Sequence, residues 1–401
     1  MRACFLGLGY IGLPTAVIAA SYGVDVVGTD INPRIVEQTN AGRLHIKEPE
    51  LDVILKKVVK EGTLRAYTEP QVADAYFIVV PTPFKGVTHE PDISYVEAAT
   101  RSVIPLLKEG DLFVIESTSP VGTTEKMRDI IFFERPELLG KIYIAYCPER
   151  VLPGNIIHEL VNNDRVIGGI DEASVEKAKS FYSIFVKGQL HAADCRTAEM
   201  CKLTENASRD AQIAFANELS IICDKAGIDV WKLISLANKH PRVNILQPGC
   251  GVGGHCIAVD PYFITSCYPE EAEYIAKART VNLGKTQWCI DKILSEAAAL
   301  EKEKGTCPKV SLMGLAFKPD IDDLRESPAV IIAETVLQRL GADNVLIAEP
   351  NIQSNDKFVL TSYDKAYNDA DIVVFLVRHH EFLGLDIRGD KRIMDFCGVC
   401  R

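Results

Sequence analysis

The stretch Ala3-Cys4-Phe5-Leu6-Gly7-Leu8-Gly9-Tyr10-Ile11-Gly12 decides the fold of the N-terminal part of the chain. Its first residues predict a short buried strand, and the apolar segment 14–22 after the glycines predicts a helix. A second predicted strand, 24–29, ends at Asp30. A G-x-G-x-x-G turn between a strand and a helix, with an acid after the next strand, is typical of a Rossmann dinucleotide site.

The residues of this site favour NAD as the cofactor. Gly7, Gly9 and Gly12 permit a tight turn and a close approach of the pyrophosphate to the helix N-terminus. Asp30 can accept a hydrogen bond from the ribose 2′-hydroxyl and would repel a 2′-phosphate, so NAD is favoured over NADP. Arg34 instead favours NADP, because an arginine just past this strand can accommodate a 2′-phosphate.

Three further predicted strands of this domain end in polar side chains. Ligands of open α/β sheets bind beyond the carboxyl ends of the strands, which places Thr82 and Thr118 beside the cofactor. Isolated threonines are also common helix caps, so both readings stand. The next strand, 141–146, leads to Glu149 and Arg150, which can bind substrate or form an ordinary solvated pair.

A second informative stretch is Pro248-Gly249-Cys250-Gly251-Val252-Gly253-Gly254-His255-Cys256-Ile257-Ala258-Val259-Asp260-Pro261. A thiol at the end of a glycine-rich loop can act as a nucleophile once its proton is removed. A surface turn with an incidental thiol is the alternative. The dinucleotide site elsewhere in the chain favours the nucleophile.

The segment 197–226 contains neither proline nor glycine and predicts one long helix. Lys202, Asn206 and Arg209 recur at spacings that put them on one helical face. Such a stripe is usually solvated, but Lys202 lies among apolar neighbours and can serve as a proton shuttle. Further helices are predicted at 230–238 and 270–303, which makes the middle of the chain mostly helical.

The C-terminal segment predicts a second doubly wound sheet. Its strands are expected at 309–317, 344–349 and 371–377, with a helix at 329–340. Lys318 and Arg325 follow the first strand, where they can hold phosphates or form local ion pairs. The predicted domains are therefore 1–190, 191–303 and 304–401.

Composition excludes several classes of protein. At 401 residues, two or three domains are expected, and a net charge of −11 argues against nucleic-acid binding. No apolar run reaches about 18 residues, so no membrane span is predicted. Twelve scattered cysteines favour a reducing cytoplasm, and the CxxC at 397–400 lacks the second ligand pair that zinc would need, so no metal is predicted.

These segments resemble the UDP-glucose/GDP-mannose dehydrogenase family over essentially the whole chain. The matching pieces are Gly7–Gly12, Thr118–Gly122, Glu199–Asn206, Gly251–Cys256 and the stretch from Phe317-Lys318 to Arg325–Pro328. The resemblance implies an α/β protein in which a central long-helix domain joins two Rossmann-like doubly wound domains. The last of these is expected to bind a UDP-sugar.

Two stretches favour one branch of the family. Tyr146–Gly154 and His240–Gly249 resemble the UDP-N-acetyl-D-mannosamine 6-dehydrogenase branch. The UDP-N-acetyl-D-glucosamine 6-dehydrogenases share the Glu149-Arg150 pair and are the first alternative, followed by the UDP-glucose 6-dehydrogenases. The choice of the C2 epimer therefore rests on branch resemblance.

The resemblance implies a four-electron oxidation of the sugar C6 to a carboxylate with two NAD used in turn. Cys256 would form a thiohemiacetal and then a thioester, and Lys202 would act as general acid or base. Asn206 would donate to the oxyanion, while Asp260 and Thr118 would orient water. Glu149 completes the expected catalytic set.

The resemblance also implies the binding residues and the partners. The expected cofactor-binding residues are Gly7, Gly9, Tyr10, Ile11, Gly12, Asp30, Arg34, Thr82, Thr118 and Arg325, the last reaching across a subunit boundary. The expected substrate-binding residues are Glu149, Arg150, Val151, Lys202, Asn206, Arg209, His240, Arg242, Gly253 and Lys318. Arg242 is also expected to arrive from a partner chain, because a homodimer through the central helix is implied. The implied role is cytoplasmic synthesis of surface polysaccharide precursors.

Two other classes of protein share parts of this pattern. A 6-phosphogluconate or short hydroxyacid dehydrogenase shares the first domain and the central helices, but would need neither Cys256 nor a third domain. A non-catalytic nucleotide-sugar sensor would keep the folds and lose the nucleophile, yet Cys256 and Lys202 are both present.

Overall fold

The computed structural model describes residues 1–46, 48–86, 89–151, 154–387, 389 and 391–401. The chain divides into two compact units, Met1–Thr204 and Glu205–Arg401. The predicted three-domain division, with boundaries at residues 190 and 303, stays a prediction. Among the described residues, no helix combines the length and the apolar character needed to cross a bilayer.

The first unit contains ten strands and seven complete helices among its described residues. The strands are β1 (Arg2–Leu6), β2 (Asp25–Thr29), β3 (Leu64–Tyr67), β4 (Ala75–Ile78), β5 (Phe84–Lys85), β6 (Glu90–Pro91), β7 (Leu112–Ile115), β8 (Tyr143–Tyr146), β9 (Arg165–Gly169) and β10 (Leu190–Asp194). The helices are α1 (Gly12–Ser21), α2 (Pro33–Asn40), α3 (Leu51–Glu61), α4 (Ser94–Val103), α5 (Thr123–Glu134), α6 (Ile156–Asn162) and α7 (Glu172–Tyr182).

Eight of these strands form one sheet in the order β10-β9-β8-β7-β4-β1-β2-β3. Every neighbouring pair is parallel except β8 with β9, which run antiparallel. The order reverses on either side of β1, as in a doubly wound sheet, so the carboxyl ends of β1 and β4 flank the crevice where ligands bind.

The central strands are buried on both faces, which explains their continuous apolar sequences. Successive side chains of a strand point to opposite faces. Phe5 and Phe77 therefore stack in one core, with ring centroids 4.5 Å apart, while Cys4 and Tyr76 lie in the other. Helices cover both faces of the sheet, which accounts for the uninterrupted apolar runs. The strands predicted from these runs are confirmed.

The long helix α8 (Cys195–Ala226) crosses the boundary between the units. The second unit continues with α9 (Val230–Ala237), α10 (Asp260–Cys267), α11 (Glu273–Lys304), β11 (Val310–Met313), α12 (Pro328–Leu340), β12 (Val345–Ala348), α13 (Tyr363–Asp369), β13 (Ile372–Phe375) and β14 (Arg392–Asp395). Its four strands pair in parallel in the order β12-β11-β13-β14. The predicted second sheet and the predicted long helices are confirmed.

The turn after β11 in the second sheet has the same geometry as the turn after β1 in the first sheet. Gly7 follows β1 with φ +98° and donates its N–H to Thr29 at 2.8 Å, and Gly314 follows β11 with φ +99° and donates to Ala348 at 2.8 Å. Positive φ at both positions favours glycine. In each sheet the residue after the second strand is an acid that accepts backbone N–H groups, Asp30 in the first and Glu349 in the second.

Candidate active site

Glycine is needed at the three positions of the N-terminal turn for different reasons. A Cβ on Gly7 would lie 2.3 Å from the carbonyl oxygen of Val79, and one on Gly12 would lie 1.8 Å from that of Gly7. A Cβ on Gly9 would meet nothing within 4 Å in the described part of the chain. The protein itself therefore requires Gly7 and Gly12, whereas Gly9 leaves open the space that a bound pyrophosphate needs. The turn fits a dinucleotide.

Asp30 is placed as the ribose acid of such a site should be. Its Oδ2 accepts the N–H of Leu8 at 3.0 Å, and its Oδ1 accepts the N–H of Asn32 at 2.9 Å. These bonds fix the carboxylate beside the glycine turn, and two carboxylate oxygens have capacity for further donors. Arg34 is exposed at the start of α2, where its N–H bonds the side chain of Asn32.

Two loops beyond the carboxyl ends of β4 and β7 are joined by the predicted cofactor threonines. The hydroxyl of Thr82 donates to the carbonyl of Thr118 at 2.7 Å. The carboxylate of Glu199, which is fully buried in α8, accepts from the N–H groups of Gly122 and Thr124. The start of α5 is thus capped from another helix. Tyr10 is exposed at the lip of the glycine turn, and Ile11 is half-buried there.

A buried ion-pair network that sequence reasoning missed lies behind the Glu149 turn. Arg165 is 3% exposed and contacts Glu149, with Nη2 to Oε2 at 2.6 Å. Its guanidinium carbon lies 4.8 Å from the ring centroid of Tyr182, whose hydroxyl donates to Glu116 at 2.5 Å. Burial raises the pKa of Glu116 to about 7, opposed by the Arg165 charge. The charge of Arg165 thus stabilises the ionised forms of two buried carboxylates, Glu149 and Glu116.

This network fixes the turn that carries the predicted substrate residues. Glu149 is 8% exposed, and its Oε1 accepts the N–H of Arg150 at 2.8 Å. The Arg150 guanidinium reaches the carbonyl of Asp164 at 2.5 Å, and Val151 packs partly buried against the core. The Glu149 side chain is therefore held in a buried ion pair while Arg150 remains more accessible. An apolar strand carrying one arginine, β9, is the sequence signal that could have indicated the pair.

Three glycines of the thiol loop have a conformation or a contact that a larger residue could not adopt. Gly251 and Gly254 have φ of +139° and +84°, and a Cβ on Gly253 would lie 2.5 Å from the carbonyl oxygen of Glu326. The backbone therefore packs directly against the loop after β11. Cys256, at the end of the loop, is exposed. All twelve cysteines lie within the described residues, and none is in a disulfide.

The structure brings three predicted catalytic residues together. The carbonyl of Cys256 accepts the N–H of Asp260 at 2.8 Å, so the loop turns directly into α10. Asp260 is 3% exposed, and its Oδ2 accepts from Asn206 Nδ2 at 2.5 Å. Asn206 lies one turn after half-buried Lys202 in α8, so the two share a face of that helix. Cys256, the buried Asp260 carboxylate and the Asn206 amide are thus linked by consecutive hydrogen bonds, the first of them through the Cys256 backbone.

The rest of the polar stripe on α8 does not belong to this group. Arg209 is exposed. Asp210 is fully buried and forms an ion pair with Arg279 of α11 at 2.5 Å, and it also accepts from Asn282 at 2.7 Å. Asp210 therefore packs α8 against α11.

The predicted phosphate loop after β11 is held at two points. Glu349 accepts from the N–H groups of Leu315 and Ala316 at 2.7 and 2.9 Å, and it contacts Nε2 of fully buried His379 at 3.0 Å. Nδ1 of His379 accepts the N–H of Asp320 at 2.9 Å. Burial opposes ionisation of Glu349, but His379 and the backbone N–H groups of Leu315 and Asn351 outweigh it and lower the pKa of this carboxyl. Both ring nitrogens of His379 are thus used, so its proximity to Asp320 and Glu381 does not make a cation site.

The two bases of this loop differ in their surroundings. Lys318 is half-buried, with Nζ 5.9 Å from the ring centroid of Phe317. Arg325 is exposed and forms a bidentate ion pair with Asp323, with Nη2 to Oδ2 at 2.6 Å. Partial burial and the Arg325 charge lower the pKa of His255. His240 and Arg242 are exposed in the segment before the thiol loop.

The glycine turn, its acid and the doubly wound sheet define the class, an NAD-dependent dehydrogenase. Models of three domains of one family match the chain: the NAD binding domain at residues 1–186, the central domain at 196–283 and the UDP binding domain at 311–399. The chain belongs to the UDP-glucose/GDP-mannose dehydrogenase family. The predicted family, fold class and cofactor are therefore confirmed.

Individual relatives span the whole chain. A UDP-N-acetyl-D-mannosamine dehydrogenase of Campylobacter jejuni is 50% identical, covering 99% of this chain and 99% of the relative. An NDP-N-acetyl-D-galactosaminuronic acid dehydrogenase of Ralstonia nicotianae is 52% identical over 95% of this chain and 91% of the relative. The solved structure of a UDP-D-ManNAc dehydrogenase of Pyrococcus horikoshii superimposes with a TM-score of 0.88 at 38% identity, covering 100% of this chain and 96% of that one.

Proposed function

We propose that the chain oxidises C6 of UDP-N-acetyl-D-mannosamine to the carboxylate in two steps, with Cys256 as the nucleophile. The observation that carries this proposal is the exposed Cys256 thiol, one turn from buried Asp260, which in turn is bonded to Asn206. A simple alcohol dehydrogenase has no use for a nucleophile in this position. The names of the relatives from Campylobacter jejuni and Pyrococcus horikoshii support the choice of sugar.

NAD, held by the Gly7–Gly12 turn and Asp30, supplies the acceptor for the two electrons that leave C6 in each oxidation. Loss of the first hydride and of the hydroxyl proton gives an aldehyde. The thiolate of Cys256 then forms a C–S bond to that carbon, and the resulting thiohemiacetal can lose a second hydride. The product is a thioester. Water attacks it, the C–S bond breaks, and the carboxylate and the thiol are released.

The residues around Cys256 have distinct roles in this scheme. Lys202 takes the hydroxyl proton in the first step and steadies the developing oxyanion in the later ones. One N–H of Asn206 is used by Asp260, and the second donates to the same oxyanion. Asp260, with Thr118, orients the hydrolytic water. Glu149 acts through its ion pair with Arg165, which fixes the turn carrying Arg150 and Val151.

Charge assigns the remaining substrate and cofactor contacts. Lys318, Arg150 and Arg209 are suited to the diphosphate, and Gly253 lets the backbone approach the sugar nucleotide. His240 is assigned to binding of the same substrate. Arg242 reaches the substrate site of a partner subunit, and Arg325 reaches that partner's cofactor. Tyr10, Ile11, Arg34, Thr82 and Thr118 complete the cofactor set.

A homodimer formed through α8 would allow the contacts between subunits. Phe215 and Ile222 are 53% and 56% exposed and lie two turns apart on one face of that helix. Exposed large apolar side chains on a helical stripe favour pairing with a second copy. We place the enzyme in the cytoplasm, where the uronate product would serve surface polysaccharide synthesis.

The deciding experiment measures NADH absorbance at completion with a limiting amount of each nucleotide sugar. Two NADH per UDP-N-acetyl-D-mannosamine, with little from the other sugars, would support both the mechanism and the substrate. The comparison sugars are UDP-N-acetyl-D-glucosamine, UDP-glucose and UDP-N-acetyl-D-galactosamine, the last because of the Ralstonia nicotianae relative. Two NADH from one of these instead would overturn the choice of sugar. One NADH per sugar would overturn the role of Cys256.

A further inference from the structure

A cavity of about 570 Å³ lies within the second unit, among parts of the chain that the proposed reaction does not use. Its walls come from the last turns of α8, the segment that leads into α9, one face of α11 and the whole of β14 with the residue that follows it. Both tryptophans of the chain, Trp231 and Trp288, line it, together with Phe396. Aromatic walls are typical of small-molecule sites, and the other residues of this wall are mostly polar or charged.

The acids in the cavity wall are already bonded to other groups. Asp224 is paired with Lys292 at 2.9 Å, and Glu296 with Arg392. Asp229 caps α9 by accepting the N–H groups of residues 231 and 232. Asp395 accepts three N–H groups from residues 397, 398 and 400. Asp224 and Glu296 are thus each paired with a cation of the wall, while Asp229 and Asp395 are held by backbone N–H groups.

Lys285 is the exception among the charged residues of this wall. It is 2% exposed, and its Nζ donates to the hydroxyl of Ser220 at 2.8 Å. The described part of the chain places no carboxylate within 4.0 Å of this nitrogen. Burial lowers the pKa of Lys285, although nearby Cys289, Cys250 and Asp224 oppose that shift. A buried ammonium without a counter-ion is costly, and an anion from outside the chain would remove the cost.

The aromatic walls stand directly beside this amine. Nζ of Lys285 lies 3.8 Å from the ring centroid of Trp288, which meets Phe396 edge to face at 5.8 Å. On the other wall, the guanidinium of Arg401 covers the ring of Trp231. A second cation therefore adjoins the cavity, next to flat apolar surfaces.

We propose that this cavity binds a small organic anion with a planar ring. Its anionic group would bond Nζ of Lys285, and its ring would pack against Trp288 and Phe396. Because an ammonium has three donors and Ser220 takes one, a carboxylate can be accepted without breaking that bond. The residues that line the cavity include none from the cofactor turn and none from the Cys256 loop.

The probe is benzoate, with benzamide as its uncharged counterpart of the same shape. Since both tryptophans line the cavity, intrinsic tryptophan fluorescence of the full chain reports on this site and not on the nucleotide sites. We expect a saturable change in emission with benzoate and at least about tenfold weaker binding of benzamide, because the amide carbonyl lacks the charge that pairs with the ammonium.

The Lys285→Met variant should weaken benzoate at least about tenfold, whereas Lys277→Met, an exposed lysine of the same helix, should leave it unchanged. Equal affinity for benzoate and benzamide would overturn the proposal, as would undiminished benzoate binding by Lys285→Met or the absence of any saturable change. The comparison of the two probes on the unmodified protein decides the matter even if the Lys285 variant does not fold.

Discussion

Asn206 Nδ2 donates to Asp260 Oδ2 at 2.5 Å, so a helix from the middle of the chain directly contacts the residue that ends the thiol loop. Asp260 is 3% exposed and accepts this hydrogen bond from a neutral amide. Asp210 lies one turn after Asn206 in α8. It is also buried, and it is paired with Arg279. Under the proposed function Asp260 takes part in the reaction, whereas Asp210 joins α8 to α11.

Replacing each of these acids by its amide should give opposite results. Asp260→Asn should lower kcat by about 10²-fold, because general acid–base help is lost, while the melting temperature stays close to that of the unmodified protein. Asp210→Asn should leave kcat nearly unchanged but cost about 3–5 kcal/mol of unfolding free energy, since buried Arg279 loses its partner. Steady-state kinetics and thermal melts check both. A full loss of folding in Asp260→Asn would contradict the assignment.

Cys256→Ser should stop the reaction before the carboxylate. A serine hydroxyl is a far weaker nucleophile than a thiolate, so kcat for the complete reaction should fall by about 10³-fold or more. The yield should fall below two NADH per sugar. Cys267→Ser is the matched control, because Cys267 is also exposed and lies at the end of the adjoining helix α10. Undiminished turnover by Cys256→Ser would rule out the thioester.

Alanine at two glycines of the cofactor turn should separate ligand binding from folding. Gly9→Ala should fold normally and bind NAD at least about tenfold more weakly, because its methyl group occupies space needed by the pyrophosphate. Gly12→Ala should cost about 1–3 kcal/mol or more, since its Cβ would collide with the carbonyl of Gly7. Thermal melts and NADH fluorescence titrations measure the two effects. Equal NAD affinity in Gly9→Ala would contradict the pyrophosphate assignment.

Glu116 should make the stability of the first unit depend on pH. Burial raises the pKa of its carboxyl from 4.5 to about 7 in the folded chain, so the folded state holds this proton more tightly than the unfolded one. The stabilisation is complete below pH 4.5 and is lost as the pH rises towards 7. The loss amounts to about 3 kcal/mol.

The Glu116→Gln variant isolates this contribution. A neutral amide cannot ionise, so the unfolding free energy of the variant minus that of the unmodified protein should rise by about 3 kcal/mol from pH 4.5 to 8. Urea unfolding at several pH values provides the measurement. Glu137→Gln, at an exposed acid, serves as the control and should show no such rise. A pH-independent difference for Glu116→Gln would mean that this carboxyl does not titrate in that range.

Charges placed on the exposed stripe of α8 should dissociate the proposed dimer. Phe215→Glu combined with Ile222→Glu replaces two exposed apolar side chains by like charges that a symmetric interface would bring together. Light scattering after gel filtration should change from dimer mass to monomer mass. Val359→Glu, at a residue that is 91% exposed elsewhere, should leave the mass unchanged. A double variant that remains dimeric would place the interface on another surface.

The sequence by itself determined the elements and the type of site. Apolar runs buried on both sheet faces, the Gly7–Gly12 turn and the helix 197–226 follow from local rules of period, turn geometry and propensity. The thiol in a glycine-rich loop was equally visible, because the backbone conformations that such a loop needs are written in its glycines.

Only the tertiary structure decided which polar residues meet. Sequence spacing put Asn206 and Arg209 on one stripe, but the fold directs Asn206 to Asp260 and leaves Arg209 exposed. It also buries Glu149 against Arg165, and it leaves Lys285 beside two aromatic rings without a carboxylate in the described part of the chain. Such contacts join residues far apart in the chain. Their burial and partners depend on packing, which no local pattern records.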